Sequence, residues 1–470
     1  MFKKSTIIFA TIISLLIGIH PVVSQVSWTI YDYDNTGGKL GSNQVYAVAV
    51  DPNSEGKIVW FGGRPNDSQG WVGGLAKLNT ETGEWTQFTT NNSELPHNRI
   101  WDIDFDTDGN MWIGTHGGGL AKFDALDNWT VYNNSNTGGK LWDNVYEIAI
   151  DPQGNLWCSG GPEVNDVGLS VFDRVSTWAV YSVTNSSLSQ NQVYAIAFGN
   201  DGKKWFGTRD NGVDQLDDKG TPFDLTDGDL WTHYSTSNGL SSNNINSGAG
   251  DWDLDGNAWF GFGSQDNAGC NKFDGNTWTK YLSGQARIRC IVHDAQGNVW
   301  LGDKGGSANS TGLWKFDGNT WVNWTASSTG QPIDWINKIA IDEKNSVLWI
   351  GTDGNGAVKV EGLITPSSVD ADKSLALSNF NLTQNYPNPF NPETAIQYSL
   401  DKPQHVRLSI YNLNGQLIRI IENGDKLAGA HTVSWDGKDE NGLVVSSGVY
   451  LYRIETEHGH QAMRKAILLK

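Results

Sequence analysis

An all-β fold is predicted by three observations. Helix-favouring Ala, Leu, Glu and Lys are sparse beside 55 Gly and 22 Trp. Asn and Asp crowd the gaps between short apolar runs, which is the composition of strands joined by tight turns. A Trp followed by a small apolar residue and usually Gly recurs at Trp60, Trp112, Trp157, Trp205, Trp259, Trp300 and Trp349, 41 to 54 residues apart. Self-similarity at that period means a repeat architecture.

The first residues carry Lys3 and Lys4, then an apolar run over 6–19 that ends near Val22-Val23-Ser24. Charge, apolar stretch and small residues in that order predict a secretory signal peptide over 1–24. No Cys follows Ser24, so lipoprotein anchoring is not expected. No later run reaches the length of apolar residues that a membrane-spanning helix needs, so no transmembrane segment is expected.

Each repeat Trp follows an apolar run such as 45–50, 145–150 or 336–341 and an Asp/Asn/Gly turn, which reads as strand, hairpin, strand. A third strand opens on Gly and ends in an apolar-acidic pair, as at 119–124, 168–173 and 312–317. A fourth carries a second Trp, at Trp85, Trp129, Trp178, Trp231, Trp278 and Trp321. Four strands at this period make one propeller blade. The seventh repeat stops after Val360 without its fourth strand, while Trp28-Thr29-Ile30-Tyr31 stands alone before the first. The two ends are expected to complete one blade, which gives a seven-bladed β-propeller over 25–364 with no open sheet edge.

Asp108-Gly109-Asn110-Met111-Trp112-Ile113-Gly114-Thr115 and its six relatives resemble the two-component-regulator propeller repeat. The resemblance covers residues 26 to about 364. It implies the kind of propeller that often forms the sensing part of receptor kinases. No kinase or regulator domain follows here, so signalling within the chain is not implied.

Residues 365–380 contain Thr365-Pro366-Ser367-Ser368 and little periodicity, which reads as a linker. From Asn381 to the end, period-two strands are expected at 395–400, 405–411, 417–421, 432–435 and 448–454, enough for a small Ig-like β-sandwich. Pro387-Asn388-Pro389-Phe390-Asn391-Pro392, Ile410-Tyr411-Asn412-Leu413-Asn414-Gly415, Ser447-Gly448-Val449-Tyr450 and the basic tail to Lys470 resemble the type A sorting domain of type IX secretion. That resemblance implies the type IX machinery as a partner, export across both membranes, and a secreted or surface-attached product.

The formal charge is -19, yet 381–470 holds nine Lys or Arg against nine Asp or Glu, so the acidity belongs to the propeller. Such a surface repels nucleic acid, which is not expected as a partner. Three Cys, at Cys158, Cys270 and Cys290, cannot form a disulfide framework.

Asp104, Asp106 and Asp108 with Gly109, and Asp251, Asp253 and Asp255 with Gly256, have the spacing of calcium loops. The closing Glu of an EF-hand is missing, since Thr115 and Phe262 stand there, and both segments coincide with a hairpin. Turn chemistry is expected, and neither a metal nor a cofactor. The repeat Trp residues are expected in the core rather than as sugar platforms. Tyr46, Trp101, Tyr146 and Tyr194, one residue into the inner strands, either pack between blades or line the channel mouth. His97 and His116 fall in loops on one face of one blade.

Four residues after each second-strand Trp stand Arg64, His116, Gly161, Arg209, Gly263, Lys304 and Asp353. Equivalent loops share one propeller face, so Arg64, His116, Arg209, Lys304 and Asp353 are the candidate ligand-binding residues. They form a partly cationic ring suited to an anionic saccharide or peptide, unless these loop positions vary freely. No nucleophile elbow, phosphate-binding loop or Cys-His pair occurs, and no catalytic residue is assigned. Binding of an extracellular ligand is the function expected. A protein-interaction scaffold and a propeller lyase or hydrolase are the alternatives, which fold cannot separate.

Overall fold

The computed structural model describes residues 26–160, 168–199, 201–226, 228–263, 268–305 and 312–364. In the C-terminal part it describes 381–382, 385, 390–400, 404–412, 416–427, 429–456 and 461–468. The signal-peptide segment, the linker and the Pro387-Asn388-Pro389 motif lie outside the described residues. The chain divides into two compact units, Met1–Ser367 and Ser368–Lys470.

The first unit is a ring of seven four-stranded antiparallel sheets. In blades 1 to 6 the order is sequential, as in Ile100–Phe105, Met111–Thr115, Leu120–Phe123 and Trp129–Tyr132 for blade 2. Blade 7 joins the two ends of the unit. Ser27–Tyr31 pairs with Ala357–Glu361, from Ser27 opposite Glu361 to Tyr31 opposite Ala357.

The Trp-x-Gly signature has a packing cause. Trp60, Trp112, Trp157, Trp205, Trp259, Trp300 and Trp349 are at most 3% exposed. Each indole bridges to the next blade, as Trp112 does to Phe172 with ring centroids 6.1 Å apart and Trp349 to Phe61 at 5.8 Å. The Gly two residues on lets the next inner strand come close. A Cβ at Gly62 would stand 2.5 Å from Ile100, and one at Gly261 2.6 Å from Ile288. Blade 3 carries Ser159 at this position. Truncating one such Trp to Ala removes contacts on two blades and costs roughly 3–5 kcal/mol.

The hairpin between the first two strands carries a second device. Asp106, Asp151, Asp253 and Asp294 accept hydrogen bonds from the Nε1–H of Trp112, Trp157, Trp259 and Trp300 at 2.7–2.9 Å. Asn110 and Asn257 donate to Asp106 and Asp253 as well. Burial alone would raise these two carboxyls, but the Asn and Trp donors outweigh it and hold both below the usual range. Arg174, from blade 3, adds an ion pair to Asp106 at 2.8 Å. The middle aspartates of the two calcium-like segments, Asp106 and Asp253, are thus turn and latch groups.

The second unit packs a three-stranded sheet, including Thr394–Leu400 and Gly429–Trp435, against a four-stranded one ordered Leu417–Lys426, Gln404–Asn412, Gly448–Thr456, Gln461–Leu468. One core holds Phe390, Ile396, Leu408, Trp435 and Tyr452. This is a β-sandwich.

Candidate ligand-binding mouth

In every blade the pairing of the first two strands slips just after the inner strand begins. The slips lie between Val45/Ala47, Ile100/Asp102, Val145/Glu147, Val193/Ala195, Ile288/Cys290 and Ile336/Lys338, with a longer one between Ile245/Gly250. A bulge re-aims the side chain that it skips. The skipped residues include Tyr46, Trp101, Tyr146, Tyr194 and Arg289, and they come together at one end of the central channel. Tyr46–Trp101, Trp101–Tyr146 and Tyr146–Tyr194 lie with centroids 5.2, 4.7 and 5.3 Å apart. Arg289 reaches from blade 6 to place its guanidinium 5.2 Å from the Tyr46 ring on blade 1. Arg99 lies 4.1 Å from the Trp101 ring. The four aromatics therefore pack ring to ring across blades 1 to 4 as an arc, with Tyr46 and Tyr146 buried.

The candidate ring sits just outside this arc in strict equivalence. The backbone N–H groups of Arg64, His116, Arg209, Gly263, Lys304 and Asp353 donate to the carbonyls of Gln44, Arg99, Gln192, Asn244, Arg287 and Trp335 at 2.9–3.4 Å. Each acceptor lies two residues before its bulge. Gly161 falls outside the described residues. The side chains diverge from this common frame. Arg64 donates to the Tyr46 hydroxyl at 3.3 Å, and Arg209 to Gln192 Oε1 at 3.4 Å. His116 Nδ1 is 3.3 Å from Asn144 Oδ1 on blade 3, and Lys304 Nζ 3.5 Å from Asn246 Oδ1 on blade 5. Asp353 accepts from Gln44 Nε2 at 2.7 Å, which ties blade 7 to blade 1.

Within this ring the charge of Lys304 is disfavoured. Burial, then the like charges of Arg289 and Arg287, push its pKa down to about 8. The acid beside it, Asp303, is fully buried and pushed up to about 6 by that burial. Three cations thus crowd one side of the mouth with weak internal compensation. An anion placed among them would gain all three at low dielectric cost.

Below the arc lies a charged layer. Lys338 of blade 7 pairs with Asp102 of blade 2 at 2.7 Å, past blade 1. Burial opposes the Lys338 charge, but Asp102, Glu147 and Asp104 outweigh it and raise its pKa. Glu147, 9% exposed, has no hydrogen-bond partner for its carboxyl among the described residues. Burial and then Asp102 push it up to about 8, and the same two causes push Asp104 up to about 7. Sequence reasoning missed Arg99, Arg287, Arg289, Glu147 and Lys338. Arg289 had a signal: it follows Ile288 as Tyr46 follows Val45 and Trp101 follows Ile100.

With this geometry in view, the comparisons with known proteins fall into two parts. Residues 94–117 match the family Two component regulator propeller, and residues 391–460 match FlgD Ig-like domain. The curated relative FlgD, the basal-body rod modification protein of Salmonella typhimurium, is 37% identical over 71 residues. Those residues are 15% of this chain and 28% of that protein, so the chain spans little of the relative's length.

Among solved structures, PorZ of Porphyromonas gingivalis is similar with a TM-score of 0.55 and 20% identity, over 92% of this chain and 60% of that one. It is described as an essential bacterial surface component of the type-IX secretion system. The extracellular domain of the hybrid two component system BT3049 from B. thetaiotaomicron gives 0.55 and 16%, over 94% and 57%. In both cases the chain spans less than two thirds of the neighbour, and identities this low speak for the fold alone. The chain is an all-β protein, a propeller with one segment that matches a two component regulator propeller model followed by a domain that matches an Ig-like one. Among the described residues no helix is long and apolar enough to cross a membrane.

Proposed function

We propose that this chain is an exported binding protein whose propeller mouth takes an anionic ligand, an acidic saccharide or a carboxylate-bearing peptide. The observation that carries this reading is the crowding of Arg287, Arg289 and Lys304 beside an arc of four aromatics, with Arg64 and Arg209 on equivalent loops. The net negative charge of the propeller opposes such a ligand at long range. Screening beyond about 8 Å at physiological ionic strength leaves the close contacts to decide.

In this reading 1–24 is the signal peptide, 25–364 the binding module, 365–380 a linker and 381–470 the type IX sorting domain. The product is secreted or held at the outer-membrane surface, with the type IX machinery as its export partner. The sorting motifs in the sequence support this, and so does the likeness of fold to PorZ, itself a surface component of that system.

Calorimetry of the full chain against tetragalacturonate and a Glu-rich peptide tests the mouth. Arg64→Ala with Arg209→Ala should weaken the better probe at least about tenfold, near 1.4 kcal/mol, with folding intact. Equal affinity of wild type and double variant removes the ring from the mechanism. Deleting 381–470 should leave folded propeller in the periplasm, and its release into the medium of an intact culture would overturn the sorting assignment.

A further inference from the structure

Blade 1 joins its second and third strands through a longer loop than blades 2, 4 and 7 do. The turn from second to third strand occupies 116–119 in blade 2, 209–212 in blade 4 and 353–356 in blade 7, but 64–73 in blade 1. A short turn is enough to join two antiparallel strands, so the extra residues serve something other than the sheet. They are ordered. Asn66 and Trp71 exchange backbone hydrogen bonds at 2.9 and 3.0 Å around the short 3-10 turn Asp67–Gln69, and Gly70 ends that turn at φ 70°, a left-handed conformation suited to glycine.

The loop walls an open cleft of about 470 Å³ against Thr90, His97 and Asn98, within the size range of small-molecule sites. Pro65, Trp71 and Val72 give it an apolar side, and Val72 is 42% exposed. Its polar groups are neutral donors and one carboxylate. His97 Nδ1 accepts from the Arg99 N–H at 3.0 Å, so the proton sits on Nε2, which is left to donate. Burial and the neighbouring His116 hold His97 below its usual pKa, hence neutral at pH 7. Asn98 uses its Oδ1 to accept from Thr90 N–H at 2.8 Å and keeps its amide N–H groups available. Asp67 offers an acceptor at the rim.

We infer that this cleft is a subsite for a neutral sugar unit. A pyranose ring has an apolar C–H face and a rim of hydroxyls that both donate and accept. An indole, a proline and a valine beside an imidazole N–H, a carboxamide and a carboxylate match both sides of it. The cleft is joined to the mouth by rings in contact: His97 to His116 at 5.8 Å, His116 to Trp101 at 6.0 Å. One chain can therefore lie across both, with an acidic unit at Arg289 and Lys304 and a neutral unit against Trp71. The assignment of an acidic oligosaccharide as the ligand rests on the proposed anion-binding mouth. The sugar subsite does not.

The full chain is titrated by calorimetry and saturation-transfer NMR with tetrasaccharides of hyaluronan, chondroitin and polygalacturonate, with neutral maltotetraose, cellotetraose and chitotetraose, and with a Trp-containing acidic peptide. At least one saccharide should bind. Trp71→Ala should weaken it about tenfold, and Asp67→Asn should weaken it less, both with unchanged thermal unfolding. Arg289→Ala should weaken only acidic probes. Loss of the Arg289 effect with the Trp71 effect intact overturns the anion-binding mouth and leaves the sugar subsite standing. Saccharide binding that ignores Trp71→Ala overturns the subsite. Binding of no saccharide overturns it too, and if the peptide then binds through Trp71 the cleft is a peptide pocket.

Discussion

At the hairpin end of the propeller, Asp106, Asp151, Asp253 and Asp294 each accept from an indole N–H, whereas at the mouth end Glu147 has no hydrogen-bond partner among the described residues and Lys304 lies against two arginines. The carboxyls of Asp106 and Asp253 are held low, while Glu147 is pushed up to about 8 and Lys304 down to about 8. Charge at one end is fully used by the fold. Charge at the other is held in place at a cost, the pattern on which the proposed binding site rests. The hairpin end is itself uneven, since the indole N–H groups of Trp60, Trp205 and Trp349 in blades 1, 4 and 7 lack a partner among the described residues. In blade 4 Gly199 stands where the latch Asp would be.

The largest effect expected is one that spoils both ends together. Removing residues 26–31 takes away the fourth strand of blade 7 and the packing of Trp28 and Ile30 on its core. Thermal denaturation should show a loss well beyond that of trimming an ordinary tail, because the ring opens along a whole strand. An unchanged midpoint would sink the closure argument.

Next comes the latch. Asp253→Ala strands the N–H groups of Trp259 and Asn257 and should cost about 2–3 kcal/mol, with affinity at the mouth unchanged. The matched Asp255→Ala, at an exposed turn position, should stay within about 0.5 kcal/mol. If the two variants melt alike, the hairpin carboxylates are not the latch.

Smaller, and dependent on pH, is the effect of Glu147. Its folded pKa lies above the ordinary carboxyl value, so its contribution to stability is fully present at pH 4 and is lost as pH rises through about 8. Glu147→Gln should therefore raise Tm above pH 8 and flatten the pH dependence between 5 and 8. A parallel shift at every pH would mean that Glu147 acts through shape alone. Lys304 supplies the smallest change, one read only in binding. It is charged below about 8, so affinity for tetragalacturonate should fall between pH 7 and 9 in wild type, and less in Lys304→Met. The same slope in both would assign the pH dependence to Glu147 rather than to Lys304.

Much of this protein could be read from the chain alone because its determinants repeat locally. One second-strand Trp per blade and one Asp-Gly or Asn turn per hairpin, together with strands of period two, depend only on neighbours within about fifty residues. They specify seven sheets, the inward Trp layer and the equivalence of Arg64, His116, Arg209, Lys304 and Asp353. The makeup of the mouth depends on something else. The bulge that turns Tyr46, Trp101, Tyr146 and Arg289 toward the channel is a slip in pairing, which leaves no mark in composition. Arg289 meets Tyr46, and Lys338 meets Asp102, only once the ring has closed and brought blade 6 to blade 1 and blade 7 to blade 2. Periodicity fixes what each blade is, and closure decides which side chains face one another across the axis.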